Sequence, residues 1–243
     1  MSLRTSILSR FLMLAAALVS VGAQAGIVVN GTRFIYPAKQ QEIGVRISND
    51  GTLPSLVQVW VDRGDPDTRP EDAEAPFLLT PPIFRVDPNQ GQSVRLAFTG
   101  ESLPGDRESL FWLNLLDIPP VPADAGNVMQ FAIRTRLKLF YRPEGLSGRA
   151  DQAATGMRWQ LAKTERGHVL RATNPSPFHI SFSELGVKSG GREYKTEGGM
   201  VRPFGSQDFP FSGAVAPPAS GTVILHWIND YGAPIREEAR LQL

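Results

Sequence analysis

The stretch NVMQFAIRTRLKLFYRP, residues 127–143, decides the fold of this chain. Large apolar side chains occupy every second position from residue 129 to residue 141, broken only by Thr135, and polar side chains, mainly basic, fill most positions between them. This period of two is typical of a β-strand with one apolar and one polar face. At about 3.3 Å per residue, roughly sixteen residues extend about 53 Å, whereas an ordinary strand has about five or six residues. Such a strand must project beyond its own domain.

Shorter segments of the same kind precede the long strand, separated by clusters of Pro, Gly, Asn and Asp. Alternating apolar residues predict strands over residues 27–37, 42–48 and 56–62. The more continuously apolar residues 106–118 predict a central strand buried on both faces. The charged, proline-rich residues 63–74 predict a solvated surface loop. Helical periodicity is nearly absent, so the sequence predicts an all-β fold of the sandwich type.

A second group of short strand candidates follows the long strand. Residues 142–148 combine Pro, Gly and Ser, which interrupt both helix and sheet, and predict a domain boundary. We therefore expect two β-sandwich domains, residues 26–145 and 146–243. Within the first domain, Thr80-Pro81-Pro82 is a candidate for a cis bond or a rigid corner, and the sequence does not fix the isomer at Pro81 or Pro82.

The first 25 residues, 1–25, have the pattern of a cleavable signal peptide. Arg4 and Arg10 supply a basic segment, residues 11–21 an apolar segment, and Ala23-Gln24-Ala25 a small-x-small cleavage site. The alternative, a membrane-anchoring helix, needs about 20 apolar residues. We expect a mature chain that begins at Gly26, is exported and is not inserted in the membrane.

Composition argues against several classes of function. The chain has 243 residues, no cysteine and a formal net charge of +1, so it offers no disulfide and no thiolate ligand, and it does not resemble a basic nucleic-acid binder. It contains no Gly-x-Ser-x-Gly elbow, no phosphate loop and no His-Glu-x-x-His motif. His168, His179 and His226 are scattered through strand-like segments. We therefore predict no enzyme, no catalytic residue, no metal and no cofactor.

The basic and apolar rows of the long strand each allow two interpretations. Arg134, Arg136 and Lys138 form a polar strand face that protects an exposed sheet edge in one interpretation. In the other, these cations converge with Arg33 and bind a carboxylate or a sugar acid. The apolar side chains at residues 129–133 are either core or a surface that their own domain leaves uncovered, and the length of the strand favours the second.

Several motifs occur in a fixed order along the chain. They are Thr32-Arg33, DRESLF at residues 106–111 with Asn114 and Ile118-Pro119-Pro120, KLFYRP at residues 138–143, Asn174-Pro175-x-Pro177, and INDYG at residues 228–232. Together they resemble the periplasmic chaperones of the chaperone-usher pathway, which assemble pili and fimbriae. The resemblance extends from residue 26 to residue 232, and the second domain matches loosely outside the last two motifs.

The resemblance implies two immunoglobulin-like β-sandwich domains in a boomerang arrangement with a cleft between them. Family members bind newly exported pilus subunits, which lack the final strand of their own sandwich. The long strand of the chaperone fills that gap by β-strand addition, here called donor-strand complementation. The expected function is non-enzymatic: a periplasmic chaperone captures fimbrial subunits and delivers them to an outer-membrane usher. The subunits and the usher are therefore the expected partners.

The resemblance also implies roles for individual residues. Arg33 and Lys138 would bind the C-terminal carboxylate of the subunit in the cleft. Met129, Phe131 and Ile133 would be the donor row that enters the groove of the subunit. Charge-assisted hydrogen bonds to a terminal carboxylate can fix the register of strand pairing. Burial of the three apolar side chains would contribute on the order of 5–9 kcal/mol before the cost of ordering.

Two further expectations come from the same resemblance. Glu108, Arg142 and Asp230 match an inter-domain ion-pair network and would fix the angle between the domains. The alternative is that they are isolated surface charges, worth about 0–1 kcal/mol each. The connection PPVPADAGN, residues 119–127, is short and free of cysteine, which resembles the short-loop members that assemble thick, rod-like fimbriae.

A carbohydrate-binding or adhesive β-sandwich module is the alternative function. Such a module would expose aromatic residues on a loop or sheet face, whereas Trp60, Trp112, Trp159 and Trp227 all lie in strand-like runs. The chaperone is therefore favoured. The sequence does not identify the subunits, the usher, the fibre or its target, and it leaves open whether the free protein self-associates.

Overall fold

The computed structural model describes residues 26–121, 126, 129–165, 167–212 and 220–242. These residues form seventeen β-strands and two short 3-10 helices, and none of them lies in an α-helix. The predicted signal peptide, residues 1–25, lies outside the described residues. The prediction of an all-β fold is confirmed.

The first half of the chain is a sandwich of two sheets. Its strands are β1 (Ile27–Val29), β2 (Arg33–Pro37), β3 (Glu42–Asn49), β4 (Ser55–Asp62), β5 (Phe77–Thr80), β6 (Ile83–Val86), β7 (Gly91–Phe98), β8 (Ser109–Ile118) and β9 (Ile133–Arg142). One sheet has the order β1-β3-β7-β5 and the other β2-β9-β8-β4-β6. A 3-10 helix, Pro70–Asp72, follows β4. The Thr80–Pro81 bond, a candidate for a cis bond, is cis.

The core of this sandwich consists of alternate residues from both sheets. Ile47 of β3, Leu96 of β7, Val57 of β4 and Leu139 of β9 are all fully buried. Their neighbours in sequence face the other way, as the period of two predicts. Burial of these side chains supplies the main stabilisation of a chain that has no cysteine.

The first predicted strand is divided between the two sheets. β1 pairs with β3, whereas β2 pairs in parallel with β9. Gly31 lies between them with a φ of 135°, a conformation that favours glycine. The change of sheet places Arg33, the first residue of β2, directly beside Lys138 of β9.

β9 is shorter than the strand that the sequence predicts. Its ladder with β8 ends where Asp117 pairs with Ile133, because β8 extends no further than Ile118. Residues 129–132 continue upstream without a strand partner in the described part of the chain, and residues 127 and 128 lie outside it. On its other edge β9 pairs with β2 only from Lys138 onward. Within the described residues, the edge of β9 at residues 133–137 is therefore unpaired.

The second half of the chain has its own sandwich and core. Its strands are β10 (Arg158–Thr164), β11 (Gly167–Thr173), β12 (Ile180–Ser189), β13 (Arg192–Thr196), β14 (Gly199–Val201), β15 (Ser206–Pro210), β16 (Thr222–Ile228) and β17 (Pro234–Arg240). One sheet has the order β10-β11-β15, and the other has the order β13-β12-β16-β17 with β14 beside β12. Leu146 and Ala150, the latter in the 3-10 helix Ala150–Gln152, pack on this second core. We propose that the domain boundary lies at residue 145.

Candidate functional site

Two cations lie side by side where the two halves of the molecule meet. Arg33 and Lys138 are directly paired in the parallel ladder of β2 and β9, so both side chains leave the same face of the sheet. Arg33 Nη1 donates to the carbonyl oxygen of Ile228 at 3.0 Å. Lys138 Nζ donates to Oγ of Ser181 at 3.1 Å. Both acceptors belong to the second domain, so the cations face the cleft between the domains.

The environment of these cations is short of negative charge. Neither of them forms an ion pair with a carboxylate of the described residues. Burial, and secondarily the charge of Arg33, lower the pKa of Lys138 to about 8. Burial also lowers the pKa of Arg33, against the opposing effect of Asp230 and Glu108. The buried Nε of Arg33 has no hydrogen-bond partner in the described structure. An anion in the cleft would stabilise both charges.

The three charges predicted to link the domains form one network. Arg142 Nε donates to Glu108 Oε1 at 2.7 Å, and its two terminal nitrogens donate to Asp230 at 2.7 and 2.9 Å. Glu108 is 4% exposed and also accepts from the backbone N–H of His179 at 2.7 Å. Glu108 and Arg142 belong to the first domain, His179 and Asp230 to the second. The charges are therefore not isolated on the surface.

Nothing in the sequence indicated that His179 is functional, since it lies in a strand-like segment and belongs to no motif. It precedes β12 and is buried, with Nδ1 at 3.3 Å from Oε2 of Glu108. Its contact partner lies 71 residues away in the sequence. No local pattern marks such a contact, because the two residues meet only when the domains pack together.

A second contact between the domains involves a glycine. Gly232 has a φ of 84°, and a Cβ at this position would collide with Oγ1 of Thr32. Thr32 immediately precedes Arg33, and Gly232 lies two residues after Asp230. The close approach of these backbones therefore joins the segment that carries the cleft arginine to the turn that carries the partner of Arg142.

The predicted donor row is exposed. Met129, Phe131 and Ile133 are 80%, 69% and 62% exposed, although all three are large apolar side chains. Leu139 lies on the same face further along the strand and is completely buried. The three residues are therefore not part of the core of their own domain. They form a contiguous apolar row next to the unpaired edge of β9, beginning five residues before Lys138 and extending away from it.

The basic row of β9 does not act as one anion site. Arg136 Nη2 donates to the two carboxylate oxygens of Asp62 at 2.8 and 3.1 Å. Arg134 Nε and Nη2 donate to Oδ1 of Asn114 at 3.0 and 2.8 Å. Asp62 is 1% exposed and Asn114 is completely buried. The hypothesis of a continuous cation row is therefore wrong for Arg134 and Arg136, and Lys138 alone of the three faces the cleft.

The sequence predicted that the strand now seen as β8 is buried on both faces by apolar neighbours. Its outer face differs from this prediction. The guanidinium of Arg134 lies 4.8 Å from the ring centre of Trp60, and that of Arg136 lies 4.8 Å from the ring centre of Trp112. Lys138 Nζ lies 5.9 Å from the Trp112 ring. This face is covered by cations stacked on aromatic rings and not by a second apolar layer, because the long basic side chains of β9 extend over it.

The charged loop at residues 63–74 is more than solvated surface. Arg134 Nη1 donates to the carbonyl oxygen of Pro66 at 2.6 Å, and its Nη2 donates to that of Thr68 at 3.3 Å. The loop is thereby held against the outer face of β9. Its composition gave no indication of this contact, since both acceptors are backbone carbonyls.

The described residues contain neither a candidate metal centre nor a candidate membrane-spanning helix. No group of three or more His, Asp or Glu side chains in the described ranges is placed to hold a metal ion. No helix among the same residues is both long and apolar enough to span a membrane.

These features define a class of protein: two immunoglobulin-like sandwiches with a cationic cleft between them and an open strand edge. Residues 26–147 match the family described as pili and flagellar-assembly chaperone, PapD N-terminal domain. Residues 152–239 match pili assembly chaperone PapD, C-terminal domain. The chain therefore belongs to the PapD family of pilus assembly chaperones, and the predicted family and fold class are confirmed.

Individual relatives agree with this assignment. The probable fimbrial chaperone YadV of Escherichia coli K12 is 41% identical over 223 residues, which are 89% of this chain and 90% of that protein. A crystal structure of YadV matches with a TM-score of 0.78 and 39% identity, covering 89% of this chain and 100% of the solved chain. A structure of the Salmonella enterica SafA pilin in complex with the SafB chaperone matches with a TM-score of 0.74 and 29% identity, covering 89% and 96%.

Proposed function

We propose that this fimbrial assembly chaperone works in the periplasm, where it captures fimbrial subunits by donor-strand complementation and delivers them to an outer-membrane usher. Arg33 and Lys138 bind the C-terminal carboxylate of the subunit in the cleft. Met129, Phe131 and Ile133 enter the groove that the incomplete subunit leaves open. The observation that carries the proposal is the exposed apolar row, which continues a core-facing strand beside an unpaired edge and leads to the two cations.

The geometry also favours one direction for the added strand. β2 occupies one edge of β9 from Lys138 onward, and the same edge is open at residues 133–137. A subunit strand on the open edge would therefore be collinear with β2. With its C-terminus at Arg33 and Lys138, this strand must run in the same direction as β9. The pairing is parallel, and the apolar row of β9 continues across the junction into the subunit.

The energetics suit a transient complex. Burial of the three exposed apolar side chains contributes on the order of 5–9 kcal/mol, from which the ordering of both partners subtracts a large part. The terminal carboxylate adds charge-assisted hydrogen bonds to two cations that burial has destabilised. Apolar contacts provide the bulk of the binding, and the carboxylate provides the register.

Two observations support the partners and the compartment. The SafB chaperone, which is similar to this chain, was solved in complex with the SafA pilin. Residues 1–25 of this chain have the composition of a cleavable signal peptide, as a protein of the periplasm requires. Delivery to an usher is proposed from the chaperone-usher resemblance.

The test is co-expression with candidate fimbrial subunits and measurement of their yield in the periplasm. Lys138→Ala removes one of the two carboxylate ligands, so we expect at least a tenfold loss of subunit yield with the chaperone still folded. Lys188→Ala, on the exposed face of β12, is the matched control and should leave the yield unchanged. An undiminished yield with Lys138→Ala contradicts the proposal.

The alternative of a carbohydrate-binding module is disfavoured by the placement of the tryptophans. Trp60, Trp159 and Trp227 are buried, and Trp112 lies beneath Arg136 and Lys138. None of these four rings forms an exposed platform on which a sugar could stack. Specific binding to a glycan array by the protein alone would favour the alternative.

A further inference from the structure

The outer face of β9 presents a problem of register for any strand that pairs with it. Arg134, Arg136 and Lys138 are cations spaced two residues apart on one face. A slip of one residue turns the apolar side chains of an added strand to the wrong face and is excluded by burial. A slip of two residues keeps every side chain on its face and moves the terminal carboxylate by about 6.6 Å, from one cation towards the next. Alternation alone therefore cannot select the register.

Arg134 and Arg136 are held away from the edge where a strand would be added. Their acceptors are Asn114 on β8 and Asp62 at the end of β4, and both strands lie on the opposite side of β9 from its open edge. The two guanidinium groups are thus drawn across the sheet. They also stack on Trp60 and Trp112, as described above.

The acceptors are themselves fixed in position. Asn114 Nδ2 donates to Oδ2 of Asp62 at 2.7 Å and to the carbonyl oxygen of Trp112 at 3.1 Å. The backbone N–H of Gly64 donates to Oδ1 of Asp62 at 2.6 Å. Because both side chains are buried and hydrogen-bonded, they cannot follow an arginine that turns towards the open edge.

The cations of the cleft are held less firmly. Lys138 makes one hydrogen bond to a side-chain hydroxyl, and Arg33 makes one to a backbone carbonyl while its Nε has no partner in the described structure. Neither faces a carboxylate at ion-pair distance within the described residues. Donors that are free to bind a carboxylate are therefore concentrated at one point of the strand, beside Lys138, although cations are present at three.

We propose that Asp62 and Asn114 are specificity-determining residues, which select the register of subunit pairing by engaging Arg134 and Arg136. One carboxylate does not cancel two guanidinium charges, so the selection acts through hydrogen bonds already made and through the direction of the side chains. The proposal rests on the proposed function, since it concerns the strand that the chaperone captures. It adds two residues of the first domain that do not touch the subunit.

The experiment measures the register directly. The chain has no cysteine, so Ala132→Cys places a single thiol at an exposed position directly before β9, two residues before Arg134. The probe is the fimbrial subunit whose periplasmic yield the chaperone raises, with single cysteines at alternate positions of its C-terminal strand. A disulfide forms only between closely opposed residues. When Asp62 and Arg136 are unchanged, the Ala132→Cys protein should give one cross-linked product, at one subunit position.

Asp62→Asn keeps the shape of the side chain and removes its charge, so Arg136 loses its ion pair. We expect a second cross-linked product displaced by two residues along the subunit strand. Arg136→Lys is a milder variant with the same expectation. Arg136 bonds Asp62 through Nη2 and Asn114 through Nε, whereas lysine has one nitrogen and cannot hold both acceptors in this way. This second variant carries the test if Asp62→Asn does not fold.

The double variant Asp62→Asn with Arg136→Met removes the released cation and should restore the single product. A single product at the original position in a folded Asp62→Asn or Arg136→Lys protein overturns the proposal. A displaced product that persists in the double variant overturns it as well. Subunit yield with Lys138→Ala, measured in the same strain, tests the proposed function separately, because it reports capture and not register.

Discussion

Lys138 is a lysine whose charge the free protein stabilises poorly. It faces Arg33 from β2, Trp112 from β8 and Ser181 from β12, and no carboxylate of the described residues pairs with it. Its pKa of about 8 lies below the ordinary lysine value of about 10.4. Below pH 8 the folded and unfolded states both carry the proton, so the cost of burying the charge is fully present. Between about pH 8 and 10.4 only the unfolded state binds the proton, so this group makes stability rise with pH.

The affinity for a carboxylate should therefore fall as the pH rises, opposite to the effect of Lys138 on stability. A bound carboxylate favours the charged lysine, so binding above pH 8 requires uptake of a proton. We expect the affinity for a peptide of the subunit's C-terminal strand to fall about tenfold per pH unit between pH 8 and 10. Calorimetric titration with that peptide measures the effect.

Two controls isolate the role of Lys138 in this pH dependence. Lys138→Arg keeps its charge over the whole range and should abolish most of the pH dependence. A C-terminally amidated peptide, which has no carboxylate, should bind weakly and equally at every pH. Equal pH profiles for Lys138 and Lys138→Arg would show that another group is responsible.

The sequence predicted some residues of the candidate site and missed others. Arg33 and Lys138 were identified by resemblance, and the structure places them side by side in one ladder. Asp62 and Asn114 were not identified as partners of the basic row. A charged residue at the end of an apolar strand looks like a turn residue, and its partner in β9 lies 74 residues away.

Strand β9 and the segment before it share one apolar face. This face is exposed to solvent at its start and buried in the core further along. Phe131 is 69% exposed, whereas Leu139, eight residues further on the same face, is 0% exposed. Phe131→Ser should reduce subunit capture without lowering the stability of the free chaperone, because it removes no contact of the core. Leu139→Ala should cost about 2–5 kcal/mol of stability by leaving a cavity.

Urea unfolding and subunit yield, measured on the same two variants, check this contrast. Retention of capture by Phe131→Ser, or a loss of stability comparable to that of Leu139→Ala, would contradict the assignment of Phe131 to the donor row. Met129→Ser provides a second exposed position, and it should behave as Phe131→Ser does.

The alternation predicted which face of this element is apolar but not where the face is covered. Coverage depends on where β8 and β2 end, since a strand without a neighbour has no ladder. The start of β2 follows Gly31, far from β9 in the sequence, and β8 ends at Ile118, directly before Pro119 and Pro120. The period of two was therefore sufficient to predict which face is apolar. The excess length of the strand was the only local sign that part of this face is uncovered.

For the molecule as a whole, the buried Glu108 links the two domains through Arg142 and His179. Glu108→Gln removes the charge while keeping the shape, which leaves Arg142 paired only with Asp230. We expect a loss of about 3 kcal/mol in the free energy of unfolding and a wider distribution of domain orientations. Urea unfolding and residual dipolar couplings measure the two effects.

An exposed pair provides the control for this prediction. Arg149 and Asp151 are in contact at 2.6 Å but lie within one domain and on the surface. Asp151→Asn should leave both stability and domain orientation unchanged. A variant of Glu108 that behaves as Asp151→Asn does would remove the inter-domain role of the network.

Gly232 provides an independent test of the domain contact. Gly232→Ala places a methyl group against Thr32, so we expect altered domain orientation and weaker subunit capture. Gly190 also has a positive φ, 56°, but a Cβ there meets nothing within 4 Å. Gly190→Ala should cost about 1 kcal/mol from backbone strain alone and leave orientation and capture intact. Equal domain orientation in both variants would show that the contact with Thr32 does not fix the angle.

The arrangement of the domains could not be predicted from local pattern. Glu108, Arg142 and Asp230 are separated by 34 and 88 residues, and each looks like an ordinary surface charge in its own segment. Their common role came from the resemblance alone. Two sandwiches were predictable because each has its own alternating strands, whereas the angle between them depends on a few long-range contacts.

The position of β2 has a consequence for what the protein can accept. β2 begins at Arg33 on the same edge of β9 that an incoming strand would use. Under the proposed mode of capture, a polypeptide can advance along that edge only until its last residue reaches the first residue of β2. A subunit extended at its C-terminus by a purification tag would collide there. The chaperone is thus sensitive to where a polypeptide ends, and a tail of a few residues should be enough to exclude an otherwise suitable client.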